Sequence, residues 1–113
     1  MAAPDAIIKN IRIKTGVVKR IAKEKNMYEK EAQMLQERVE KMKAEGRDEH
    51  DIKKQQEVTQ ESNMMIPDCV KRLKAAMADL GNLLDSNQDL CDAEEYKAAK
   101  NTMNESASVL TGN

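Results

Sequence analysis

The sequence has almost no aromatic side chains: no Trp, no Phe and two Tyr among 113 residues. The large rings that fill most β-sandwich and α/β cores are therefore missing, and four Gly with two Pro cannot supply the turns of a many-stranded sheet. Net charge is nearly absent too, since 19 Lys plus Arg against 20 Asp plus Glu leave −1. Nucleic-acid-binding domains are usually clearly basic and carry stacking aromatics, so no nucleic-acid partner is expected. No run approaches the roughly 20 apolar residues of a membrane-spanning helix, and Met1 leads into Ala-Ala-Pro-Asp rather than a signal segment. These features predict an intracellular, soluble protein without a membrane partner. Two cysteines, Cys69 and Cys91, lie 22 positions apart with no CxxC and no neighbouring His. Neither a metal site nor a disulfide framework is expected, and both read as small buried hydrophobes.

What is present favours helix. Lys, Glu, Met, Ala, Gln and Leu dominate, and a mean hydropathy of −0.76 confines apolar residues to narrow stripes. Alternating steps of four and three from Ile7 give Ile7, Ile11, Lys14, Val18, Ile21, Lys25, Tyr28, Ala32, Leu35, Val39 and Met42, nine of eleven apolar or aromatic. This is the 3.5-residue repeat of a coiled-coil seam, which a disordered tail would not keep. Lys14 and Lys25 interrupt it, and are expected to snorkel outward or to mark a missing partner.

A polar run around Gly46, with His50 in a charged loop, ends this first helix. A second register follows: Ile52, Gln55, Thr59, Ser62, Ile66, Cys69, Leu73, Ala76, Leu80 and Leu83. Gln55, Thr59 and Ser62 are polar, so the first half of this helix is expected to pack loosely. Pro67 removes the amide that would bond to the Asn63 carbonyl, which predicts a kink or short break. Asp92 and Glu95 have capping-box spacing and open a third segment with Tyr96, Ala99, Met103, Ala107 and Leu110 on one face, before Thr111-Gly112-Asn113 frays.

The expected fold is all-α: a single domain over 1–113, an antiparallel three-helix bundle or coiled-coil rod with helices over about 5–44, 52–84 and 93–110. The second helix is kinked at Pro67 and the third is shorter. Pairing across the first loop sets Ile21 near Leu73, Tyr28 near Ile66 and Leu35 near Thr59. A third helix of about half length covers only the end away from that loop, leaving residues 30–60 as a two-helix projection.

Catalytic patterns are lacking. A P-loop needs GxxxxGK[ST], whereas Lys14-Thr15-Gly16-Val17-Val18-Lys19 has the wrong order and carries the seam. His50 has no nucleophile placed to meet it. Adjacent Glu94 and Glu95 on a first helical turn complement the helix dipole more readily than they form an acid–base pair. An elongated bundle offers no concave pocket from which to exclude water. No enzyme activity, cofactor or metal is expected.

Charge and methionine placement point to protein binding instead. Residues 1–25 carry seven basic side chains against two acidic, and residues 44–70 carry three against seven, so the rod is a charge dipole. Met27 and Met34, seven apart on one face and off the seam, lie level with Met64 and Met65 beside Pro67. Flexible thioethers suit surfaces that accept imperfect or partly folded partners, although ordinary helix formers would read the same way.

Several segments are diagnostic: Lys14-Thr15-Gly16-Val17-Val18-Lys19-Arg20, Met27-Tyr28-Glu29-Lys30-Glu31-Ala32, Asp51-Ile52-Lys53-Lys54-Gln55, Met64-Met65-Ile66-Pro67-Asp68-Cys69 and Ala93-Glu94-Glu95-Tyr96-Lys97. In this order they resemble the tubulin-folding cofactor A (tubulin-specific chaperone A) family over about residues 7–100. The resemblance implies an ATP-independent, cytoplasmic, cytoskeleton-associated chaperone. Such a protein captures β-tubulin folding intermediates and passes them toward assembly with the other tubulin-folding cofactors. It also implies a rod bent at Pro67, binding through helical faces, either monomer or homodimer. It transfers no compact residue list, so the candidates come from the residues themselves: Met27, Tyr28, Met34, Met64, Met65 and Pro67 as the apolar surface at the kink. Glu29, Lys30, Glu31, Glu94 and Glu95 are expected to frame it and set specificity and on-rate. The alternative is a coiled-coil adaptor that dimerises or binds another helix at the open hairpin tip, with no tubulin specificity.

Overall fold

Pro4 sits in the first turn of a 41-residue helix, where a missing amide is no loss and a fixed φ starts the spiral. The computed structural model describes residues 3–111. Met1, Ala2, Gly112 and Asn113, and with them most of the fraying tail, lie outside the described residues. The described chain forms α1 (Pro4–Ala44), α2 (Glu49–Asp85), a 3₁₀ turn (Gln88–Leu90) and α3 (Glu94–Thr111). The fold is all-α with three helices, the last the shortest.

Each boundary has a local cause. α1 stops at Gly46, whose φ of +67° suits glycine. The Gly46 amide donates to the Lys43 carbonyl at 3.1 Å and the Arg47 amide to that of Met42 at 3.0 Å, which is a Schellman cap. The Asp48 carbonyl accepts the Ile52 amide at 3.0 Å, so α2 starts three residues before the expected Ile52 and His50 stands in its exposed first turn, not in a loop. α2 then runs unbroken through Pro67 to Asp85, so the proline interrupts one hydrogen bond and not the helix. Its end is closed by the Asn87 side-chain amide, donating to the Leu83 carbonyl at 2.8 Å. After the 3₁₀ turn the Ala93 carbonyl accepts the first helical amide of α3, from Lys97 at 3.1 Å. The expected Asp92–Glu95 capping box is therefore one residue out of register.

α1 and α2 pack along their lengths with residue numbers rising on one as they fall on the other: Lys14 pairs with Asp79, and Glu24 with Arg72. α3 lies mainly against α1. One cluster, built on Ile11, Val18, Ile21, Ala22, Leu73, Leu80, Leu84, Tyr96 and Ala99, forms the core between all three helices. The Tyr96 hydroxyl is satisfied inside it, donating to the Leu84 carbonyl at 3.1 Å. The outline measures 65 × 23 × 16 Å with a radius of gyration of 19.5 Å, against about 13 Å for a compact chain of this length.

Burial corrects several expectations. Lys25 does not snorkel: it is 6% exposed, pairs with Glu29, and donates from Nζ to the Val109 carbonyl at 3.0 Å. Val109 belongs to the last turn of α3, whose carbonyls lack helical partners, so Lys25 closes the negative end of that helix. The polar stretch of α2 is not loose either, since Thr59 is 3% and Ser62 7% exposed. Small side chains there let the two helices close on each other. Thr59 satisfies its own hydroxyl on the Gln55 carbonyl at 2.8 Å, whereas the Ser62 hydroxyl has no partner among the described residues. On α3 the buried line runs Tyr96, Ala99, Thr102, Ser106, with Met103 and Leu110 half-buried; Ala107, expected on this face, is exposed, and Ser106, seven residues from Ala99, takes its place. Cys69 is buried as expected, but Cys91 is exposed just beyond the 3₁₀ turn.

Two stability predictions follow from this packing. Leu73→Ala should cost about 2–4 kcal/mol as a fully buried truncation, and Thr59→Ala no more than about 1 kcal/mol, because its hydroxyl bonds only to its own helix. Equal shifts in urea midpoint would refute the contrast between the three-walled and two-walled halves. Lys25→Met keeps the stem but removes the charged hydrogen bond, so it should cost about 1.5–3 kcal/mol. Amide exchange should then accelerate in the last turn of α3 and not at the α1–α2 turn; uniform protection would dismiss Lys25 as the closing contact.

Candidate docking surface

Beyond the end of α3 the hairpin has two walls, and most of its exposed large apolar side chains gather on one flank. Met27 is 53%, Met34 69%, Val58 47% and Met65 36% exposed. Met27, Lys30, Glu31, Met34 and Leu35 line one shallow groove. Tyr28, Glu31, Val58, Glu61, Ser62 and Met65 line a second. Glu31 belongs to both, so the two are one continuous surface. Ala22 lines a groove with Glu105 and Val109 of α3. Five residues at about 100° each turn α1 by about 140° from Ala22 to Met27, which places the methionine flank opposite α3.

Closer to the core the same flank is closed by charge. Arg72 donates to Glu24 at 3.0 Å and lies 4.0 Å from Asp68, and Lys14 pairs with Asp79. The Glu24 hydrogen bond holds the Arg72 guanidinium still more firmly protonated, the neighbouring carboxylate charge adding to it. Cys69 packs beneath this pair, and burial pushes its thiol above the ordinary value, with Glu24 acting in the same direction. A thiol so held stays protonated and unreactive.

The structure brings together Met27, Tyr28, Lys30, Glu31, Met34 and Met65 from the residues expected at this surface. It does not bring the others there. Glu29 is turned toward Lys25 on the flank that α3 uses. Met64, although 66% exposed, and Pro67 line neither groove. Glu94 and Glu95 face Arg12, Thr15, Gly16 and Lys19 across a separate groove between α1 and α3. Met27 is eight residues beyond Lys19, so these two acids lie about 12 Å or more along the rod from the methionines and cannot frame them. They fall there because α3 runs alongside α1 in the same direction, putting its start near the start of α1.

Val58 lines the second groove, and Arg38 lines a neighbouring one with Met34; neither was singled out from the sequence. The signal was present: Val58, Met65, Arg72 and Asp79 repeat every seven residues on α2, and Glu24, Glu31 and Arg38 do so on α1. The basic fragment around Gly16 lies inside α1, where its amides are engaged in helical hydrogen bonds rather than forming a loop. Among the described residues no three His, Cys, Asp or Glu side chains gather as metal ligands. No helix there is long and apolar enough to cross a membrane.

Comparison with known proteins bears on what such a surface holds. The family model described as tubulin binding cofactor A matches residues 6–103. The chain is 58% identical over 99 residues to the tubulin-specific chaperone A of Gallus gallus, covering 88% of this chain and 92% of that protein. It is 57% identical over 96 residues to that of Homo sapiens, covering 85% and 89%. The crystal structure of tubulin folding cofactor A from Arabidopsis thaliana superposes with a TM-score of 0.85 at 41% identity, over 91% of this chain and 97% of that one.

Proposed function

This chain belongs to the tubulin binding cofactor A family, and from that premise we propose that it is a tubulin chaperone that captures folding intermediates of β-tubulin. Capture takes place on helical faces in the cytoplasm, without ATP, and the client then passes to the other tubulin-folding cofactors. The observation that carries this reading is the flank of Met27, Met34, Val58 and Met65, exposed on the two-walled half and outside the core. Flexible thioethers adapt to imperfect apolar partners, and the flanking Lys30, Glu31 and Glu61 keep the surface soluble while steering encounter. Nucleotide independence is supported by Lys14–Lys19 lying within α1: a phosphate cradle needs free amides in a loop, and here they are bonded along the helix.

The test is competition between the two tubulin chains. Purified α- and β-tubulin diluted from denaturant into nucleotide-free buffer with this protein should give a complex with β-tubulin on gel filtration and little or none with α-tubulin. Equal co-elution of both, or a requirement for added ATP, would overturn the reading.

A further inference from the structure

On α2 the heptad line Asp79, Arg72, Met65, Val58 changes chemistry where α3 ends. Asp79 is paired with Lys14 and Arg72 with Glu24, each a charge bridging α1 and α2. One heptad further on, Glu31 of α1 meets Met65, and both line one groove with Val58. Another heptad brings Arg38 level with Val58. Neither Glu31 nor Arg38 has an ion-pair partner among the described residues. The ladder of ion pairs thus keeps its charges on α1 and replaces their partners on α2 by apolar side chains. We propose that this stretch takes an amphipathic α-helix of the client, laid along the groove between α1 and α2 on the flank opposite α3. Its apolar residues lie on Met27, Met34, Met65 and Val58, a Lys or Arg meets Glu31, and an Asp or Glu meets Arg38. Only the client's identity rests on the chaperone reading.

Geometry selects a helix over an extended segment. Glu31 and Arg38 are seven residues apart, about 10.5 Å along α1. A docked helix spans that distance in seven residues, two turns, and presents both side chains to the same side. An extended strand spans it in about three residues, an odd step that sends its two side chains to opposite faces. Charge selects the rest: a purely apolar segment would bury Glu31 and Arg38 unpaired, and an anionic surface would be repelled by Glu31 and Glu61.

The deciding variant completes the ladder within the chain. Met65→Arg with Val58→Glu gives Glu31 and Arg38 intramolecular partners at positions that are 36% and 47% exposed, so helix content and melting midpoint should hold. Two probes are used: β-tubulin diluted from denaturant, and a fluorescent 21-residue helix with Leu at heptad a and d positions and one Lys and one Glu seven apart. The wild-type protein should bind both, and the double variant should bind each at least ten-fold more weakly. Glu31→Arg supplies a second readout should the double variant unfold: it should weaken the Lys-Glu peptide at least five-fold, and a peptide carrying Glu in place of that Lys should recover the loss. Undiminished peptide binding by the variants overturns the proposal, as does failure of the wild-type protein to bind the peptide. So does a result in which the double variant loses only self-association in sedimentation, which would assign the strip to a second copy of this chain. If the wild-type protein binds the peptide in the variant-sensitive way yet shows no preference for β-tubulin, the docking of a helix stands and the chaperone reading falls.

Discussion

The length of α3 is the constraint from which the rest of the molecule follows. Its 18 residues reach about 27 Å along a 41-residue α1 of about 61 Å. They stop where the Val109 carbonyl meets Lys25 at 3.0 Å. On one side of that contact three helices enclose Ile11, Val18, Leu73, Leu80 and Tyr96, and large aliphatic residues have somewhere to go. On the other side only two helices face each other, and the buried seam runs through Ala32, Val39, Thr59 and Ser62 to Met42 beside the α1–α2 turn. A two-helix interface has no third surface to cover wide side chains, so small and β-branched residues close most of it.

Lys25 joins the two regimes. A charge on the seam is costly unless satisfied, and this one is met by the Glu29 carboxylate and by a carbonyl at the negative end of α3. The same contact fixes how far α3 extends and leaves the α1–α2 flanks beyond it uncovered. Of those, the flank that α3 would have continued along carries Glu29 and, four and seven residues further on the same helix face, Gln33 and Gln36, and Met27, Met34, Val58 and Met65 lie on the other. The surface available to a partner is therefore not the gap left by a short helix. It is a separate face with its own pattern, and the end of α3 marks where that pattern begins.

Much of the architecture was legible in the sequence because a heptad repeat constrains burial directly. Ile11, Val18, Ile21, Val39 and Met42 were placed on the seam by periodicity and are buried. The failures share a physical origin. Lys25, Thr59 and Ser62 were judged by polarity, yet their burial is decided by partners on other helices or by their own backbone, which a single-helix pattern does not contain. Cys91 was judged by residue type, and its exposure follows from the 3₁₀ turn at Gln88–Leu90. For the docking surface, Met27 and Met34 could be seen as a stripe off the seam. The separation of Glu94 and Glu95 from them could not be seen, because it depends on which end of α1 the start of α3 meets.

The ladder shows why stability does not dictate the residues along that flank. Exposed ion pairs such as Arg72–Glu24 are screened by solvent and contribute little to folding, so replacing their continuation by Met65 and Val58 costs the fold little. Exposing Met65 and Val58 costs little for the same reason, since neither belongs to the core. A position that is nearly neutral for folding is free to be set by what docks there. Charges retained on α1 against apolar residues on α2 make a strip that is incomplete within the chain in two respects at once, lacking counter-charges and lacking cover. One amphipathic helix remedies both, whereas a change in this chain that supplied only cover would leave Glu31 and Arg38 buried and unpaired.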